Sequence, residues 1–203
     1  MGKSLKRVGI CLLGASLIWG AMLLADKQTL QKELIRLHVV AASDSQEDQA
    51  LKLKVRDAIV ESLQKEMANL EDMEQAKAYL QENLPKIEAL ANRVLRTAGC
   101  PDVATVSLQV EEFATRYYDT FTLPAGIYEA LRITIGEGAG QNWWCVVFPT
   151  LCVGATVEEF EETAHCAGFS DGLTGALTGE DGYEVHFFFL DALGKLENFL
   201  HKG

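Results

Sequence analysis

Beyond position 25 the chain is short of basic residues. Of its 18 Lys and Arg, Lys3, Lys6 and Arg7 lie before that point, leaving 15 against 29 acids and a formal charge of −14. A body this acidic is repelled by phosphate backbones and anionic headgroups, which excludes nucleic acid and peripheral membrane binding through a basic patch. No C-x-x-C or H-x-x-x-H pair accompanies the neighbouring His165 and Cys166, so no metal centre is expected. Gly136, Gly138 and Gly140 lack the spacing of a dinucleotide fingerprint and no helical pattern follows them, which excludes a phosphate loop. No cofactor and no small-molecule substrate is therefore expected. No internal repeat is visible.

The first 25 residues lack an acid, and Val8 to Ala25 lacks any charge. As a helix this segment reaches roughly 27 Å, close to a hydrocarbon thickness. Lys3, Lys6 and Arg7 before it and Asp26 after it place the amino terminus in the cytoplasm and export the body, by the positive-inside rule. A secretory signal peptide has the same anatomy. Leu23 stands where cleavage after Ala25 wants a small residue, which favours a retained anchor, although Ala21 and Ala25 leave cleavage open. The expected organisation is a signal or anchor over residues 1–25 and an exported domain over 26–203. Cys11 lies inside the apolar segment, leaving Cys100, Cys145, Cys152 and Cys166. Cys145 and Cys152 are the favoured disulfide pair because Pro149 between them can turn the chain back; four buried free thiols are the alternative.

The remainder reads as α+β. Leu34 to Ala42 alternates Ile35, Leu37 and Val39 with Arg36 and His38, as in a half-buried strand. Ser43, Asp44 and Ser45 cap a helix whose apolar residues run from Leu51 through Val55, Ile59 and Leu63 to Met67. A second helical pattern covers about Glu71 to Asn83, and Pro85 either kinks it or starts a third, which Gly99 and Pro101 end. Val103 to about Phe121, Tyr128 to Ile135 and Trp143 to Phe148 read as strands of a mainly antiparallel sheet. Thr156 to Ala167 reads as a short acidic helix and glycine-rich Gly168 to Gly182 as a mobile loop. Glu184 to Phe189 reads as a strand preceding a terminal helix. The expected architecture is an amino-terminal strand and helices with a mainly antiparallel sheet, preceded by a transmembrane or signal segment.

Two blocks are more specific: Leu34 to Ala58, LIRLHVVAASDSQEDQALKLKVRDA, and Leu123 to Cys152, LPAGIYEALRITIGEGAGQNWWCVVFPTLC. Together they resemble the stage II sporulation protein R family, with Ala42 and Thr150 as departures from its pattern. The resemblance implies a protein made in the forespore and exported between the septal membranes. There a membrane-embedded aspartic protease of the mother cell would need it to cleave the pro-sequence of sigma-E. It implies an activator, not an enzyme.

Within that frame Arg36, Lys52, Lys54 and Arg56 are candidates for contacting an acidic surface of the protease, and ordinary solvated ion pairs are the alternative. Trp143 and Trp144 fall on opposite faces of their strand, so one is a candidate aromatic anchor if the other packs inside. The glycine run is expected to be a tight turn joining two strands and letting these rings approach closely. Glu129 and Glu137 flank Arg132, and paired carboxylates would suit a wall hydrolase of the septal space, the enzyme-class rival. Gly168 to Gly172 matches G-x-S-x-G, with Asp181 or Asp191 and His186 or His201 following. It lacks the strand before the serine that a nucleophile elbow needs.

Overall fold

The computed structural model describes residues 2–67, 69, 70, 72–149 and 156–201, with side chains from residue 6 onward. In chain order the elements are α1 (Gly2–Glu33), β1 (Ile35–Val40), α2 (Gln46–Met67), α3 (Met73–Thr97), β2 (Ala104–Phe113) and β3 (Arg116–Tyr117). They continue with β4 (Thr122–Leu123), β5 (Gly126–Ile135), β6 (Asn142–Phe148), α4 (Val157–Cys166), α5 (Asp171–Thr178) and α6 (Glu184–His201). The fold is α+β, as the pattern of periods indicates.

Four strands form one mixed sheet in the order β2-β5-β1-β6. The β2–β5 and β1–β6 pairs are antiparallel, whereas β1 and β5 run parallel, from Ile35 opposite Glu129 to Val40 opposite Thr134. Helices α2 and α3 cover one face, where Ile35, Leu37 and Val39 meet Val55, Ile59, Leu63, Leu80 and Leu95. The other core joins Phe113, Tyr128 and Val146 to Leu23, Leu30, Phe160, Leu173 and Leu190 from α1, α4, α5 and α6. Burial on both faces makes β1 a fully buried central strand, not a half-buried one. Its alternation divides two interiors instead of separating interior from solvent.

Helix α1 is long and apolar enough to cross a membrane, and it fits a signal or membrane segment. It passes position 25 without interruption and reaches into the domain. Leu23 and Leu30 are buried, Lys27 pairs with Glu197 at 2.8 Å, and the Trp19 ring meets Phe189 edge-on at 5.0 Å.

Helix α3 is continuous, with Pro85 inside it. Asp72 accepts from the Gln75 amide at its start. Beyond Ala98, Gly99 at φ +76° turns the chain, a conformation that suits glycine. The strand expected from Val103 to Phe121 breaks after Phe113, and β3 pairs with β4 in a separate two-stranded ribbon.

Two carboxy-terminal expectations fail. The supposed mobile loop contains α5, which Ser170 caps by accepting from the Leu173 amide and Gly179 closes at φ +74°. Its glycines are compatible with a helix because the caps and burial of Leu173, Ala176 and Leu177 set the conformation. Glu184 to Phe189 is the first half of α6, not a strand. Helix α4 lies where expected, with a reciprocal capping box between Thr156 and Glu159.

Candidate partner-binding surface

Strands β5 and β6 are not neighbours: β1 lies between them, so the loop carrying Gly136, Gly138 and Gly140 must cross the carboxy-terminal end of β1. It does so by close backbone approach. The Ala139 and Gly140 amides donate to the carbonyls of Ala42 and Ala41 at 3.1 and 3.0 Å, and a Cβ on Gly140 would lie 2.2 Å from the Ser43 carbonyl oxygen. Asp44 accepts from the Gln141 amide at 2.7 Å. The glycine run is thus a strand connection, but a crossover and not a tight two-strand turn.

This crossover delivers Trp143 and Trp144 opposite Val39 and His38 of β1. Strand alternation sends them to different faces, so the two rings do not approach one another. Trp143 is exposed, and the Arg56 guanidinium lies 4.2 Å over its ring. Arg56 also binds its neighbour Asp57, while Lys54 is exposed on the same helix. Lys54, Arg56 and Trp143 therefore furnish a cationic and aromatic surface.

The other two candidate cations are placed differently. Lys52 is buried, donating to Gln49 Oε1 at 2.6 Å and to the Gln141 carbonyl at 3.0 Å. Burial lowers its pKa, with Asp44 opposing and Arg56 reinforcing that shift. It anchors the crossover to α2. Arg36 is 0% exposed, with its guanidinium 4.0 Å from the Phe113 centroid and 5.1 Å from that of Tyr128, and Nη2 donating to Tyr118 Oη at 2.9 Å. Neither side chain reaches the surface, because β1 is covered on both faces and Lys52 points from α2 to the loop beneath it.

Trp144 belongs to a half-buried polar layer. Its ring stacks on His38 at 5.7 Å, and the Arg116 guanidinium lies 3.4 Å over it. His38 Nδ1 is 2.6 Å from Glu111 Oε2, and Arg132 donates to Glu111 Oε1 at 3.1 Å. Burial alone would raise the Glu111 pKa; hydrogen bonds from His38, Arg132 and Gln109 outweigh it and hold the carboxyl at about 2. Glu111, Arg116 and Tyr118 were not distinguishable in the sequence, since the layer assembles from separate strands. The only signal was the polar alternation of Arg36 and His38.

None of these groups forms a catalytic constellation. Glu129 pairs with Lys77 at 2.9 Å. Glu137 lies beyond the far end of β5, after roughly 20 Å of strand, whereas paired glycosidase carboxylates stand about 5–9.5 Å apart. Ser170 Oγ donates to Asp26 Oδ1 at 3.1 Å, and His186 Nε2 meets Asp26 Oδ2 at 2.9 Å. The aspartate lies between serine and histidine, so no imidazole contacts the hydroxyl as a nucleophile's base must. Among the described residues no metal-binding cluster occurs. Cys145 is buried on β6; Cys152 lies outside the described residues.

Residues 31–158 match the family model of Stage II sporulation protein R. The chain belongs to the stage II sporulation protein R family. It is 32% identical over 220 residues to the Stage II sporulation protein R of Bacillus subtilis (strain 168), covering 94% of this chain and 98% of that relative. The matched stretch runs from the end of α1 to the start of α4 and so contains the whole sheet, α2, α3 and the glycine crossover. No solved structure matches the chain. Membership in the family supports a sporulation signalling role.

Proposed function

We propose that this member of the family is exported from the forespore and activates a membrane-embedded aspartic protease of the mother cell, which then processes pro-sigma-E across the septum. The observation that carries this reading is the stack of half-buried Arg56 on exposed Trp143, at the end of β1 opposite the one that follows Glu33. Val39, which faces Trp143 across the strand pair, stands six residues beyond Glu33, about 20 Å of extended chain. In this proposal α1 lies in or at the forespore membrane and the stack is presented to a protein of the opposing membrane.

Lys54, Arg56 and Trp143 are the contact residues in this proposal, Trp143 as the aromatic anchor and the two cations as the orienting charges. Trp144 and Arg36 support the sheet behind them, and Lys52 fixes the crossover. Residues 1–25 remain the proposed signal or anchor and 26–203 the exported domain. A Cys145–Cys152 disulfide is also proposed, because Pro149 between the two positions can turn the chain back. Activation requires that the chain bind the active state of the protease more tightly than the inactive one. The proposed role is that of an activator, not an enzyme.

A photocrosslinker at Trp143 tests the contact. Crosslinking to the protease's outward surface, reduced by Arg56→Glu introduced alongside, is expected. Crosslinking confined to other proteins contradicts it.

A further inference from the structure

Helix α6 packs inward through Phe187, Leu190 and Leu193, with Asp191 and Gly194 docked beside them. Asp191 accepts from the Ala125 amide at 2.9 Å and from Thr115, and Lys195 pairs with it at 2.7 Å. Gly194 lies so close to the β4–β5 corner that a Cβ there would stand 1.6 Å from the Ala125 carbonyl oxygen. The outward side is apolar: Val185, Phe188, Phe189, Leu196, Phe199 and Leu200 are all exposed, Phe199 at 75%. At about 100° per residue these six occupy one stripe roughly 120° wide that contains no charged residue. A continuous exposed stripe of this kind marks an interaction surface.

Its occupant follows from its position against α1. His186 meets Asp26, while Glu197 receives both Lys27 and Gln31. From His186 to Glu197 is about 16 Å of helix, yet the matching stretch from Asp26 to Gln31 is only about 8 Å. Helix α6 therefore crosses α1 and does not run along it. The crossing lies immediately beyond the uncharged segment that ends at Ala25, and Phe189 touches Trp19 within that segment.

We propose that α6 is an interfacial helix, its aromatic stripe inserted among the lipids of the bilayer that α1 occupies. The proposal rests on α1 entering a membrane. If α1 spans it, a helix crossing α1 at the end of the span lies near the membrane plane, the arrangement in which a one-sided apolar stripe meets acyl chains. Insertion is driven by apolar burial and not by charge, consistent with the acidic body. Together α1 and α6 fix the domain's orientation over the bilayer.

The full chain, reconstituted in phosphatidylcholine vesicles containing a diazirine-bearing acyl-chain probe, is irradiated and its labelled peptides mapped by mass spectrometry. Label on both 8–25 and 185–200, with α2 unlabelled, is expected. A Phe188→Ser, Phe199→Ser variant should lose at least about fivefold of the α6 label and keep that of α1. Label on α1 without α6 overturns the inference and leaves the membrane reading of α1 intact; absence of label from α1 removes that reading and the inference with it. Labelling of α6 that requires added anionic lipid, or protection of α6 by a crosslinkable second copy, also overturns it.

Discussion

Asp26 and His186, 160 positions apart, meet at 2.9 Å, and Ser170 donates to the other oxygen of the same carboxylate. The first charged residue after the apolar segment thus ties α1 to α5 and α6. Asp26→Ala removes the acceptor of partly buried His186 and of exposed Ser170 and should cost about 1–2 kcal/mol in urea unfolding, mostly through His186. The same change should increase hydrogen exchange in α6 before it does so in α2.

Glu111 has its pKa depressed from 4.5 to about 2. The folded form binds this proton less readily than the unfolded chain does, so the carboxylate's stabilisation is complete above about 4.5 and is lost as pH falls through about 2. Allowing for solvent screening, roughly 1–2 kcal/mol is involved. Glu111→Gln should flatten the acid limb of stability between those values, measured by denaturant unfolding at successive pH.

Among the described residues, Arg36 Nε and Nη1 have no hydrogen-bond partner in the core. Replacing a buried charge that lacks full compensation by an apolar chain of similar length removes a desolvation cost. Arg36→Met should therefore be within about 1 kcal/mol of wild type or more stable, and signalling should persist, since this side chain has no surface to offer. Loss of signalling by a well-folded Arg36→Met protein would return the residue to the contact set.

Gly140 is constrained by the crossover it serves. A methyl group cannot stand 2.2 Å from the Ser43 oxygen, so Gly140→Ala must move the loop off the end of β1. The expected cost is about 2–4 kcal/mol, with near-ultraviolet circular dichroism of Trp143 and Trp144 altered. Gly9→Ala, where a Cβ meets nothing within 4 Å, should leave the folded domain unchanged.

The parts of the fold that were legible in the sequence are those whose burial is one-sided. Helix α2 announces itself through Val55, Ile59 and Leu63, and α4 as a short acidic helical run. Period alone does not reveal that β1 is central, so the alternation points Arg36 outward although both faces of the strand are covered. The run Val185 to Phe189 resembles a strand because aromatic and β-branched residues favour strands. It is helical because Leu190, Asp191 and Gly194 dock α6 on the sheet corner, leaving those aromatics outside. Of the candidate surface, Arg56 and Trp143 were legible as residue types, but their stacking depends on the β1–β6 pairing that places Trp143 opposite Val39.

Lys54 and Arg56 bear on the proposed contact without supporting the core. The double variant Lys54→Glu, Arg56→Glu should lose signalling while its unfolding midpoint changes by less than about 1 kcal/mol equivalent. An unfolded variant would show a lost cooperative transition, which separates the two causes.

The most direct test places the full chain and the sigma-factor protease in apposed membranes and follows cleavage of pro-sigma-E with time. Cleavage that depends on the chain, and that falls at least about tenfold with the folded Lys54→Glu, Arg56→Glu variant, is predicted. Equal cleavage with and without the chain would contradict the account.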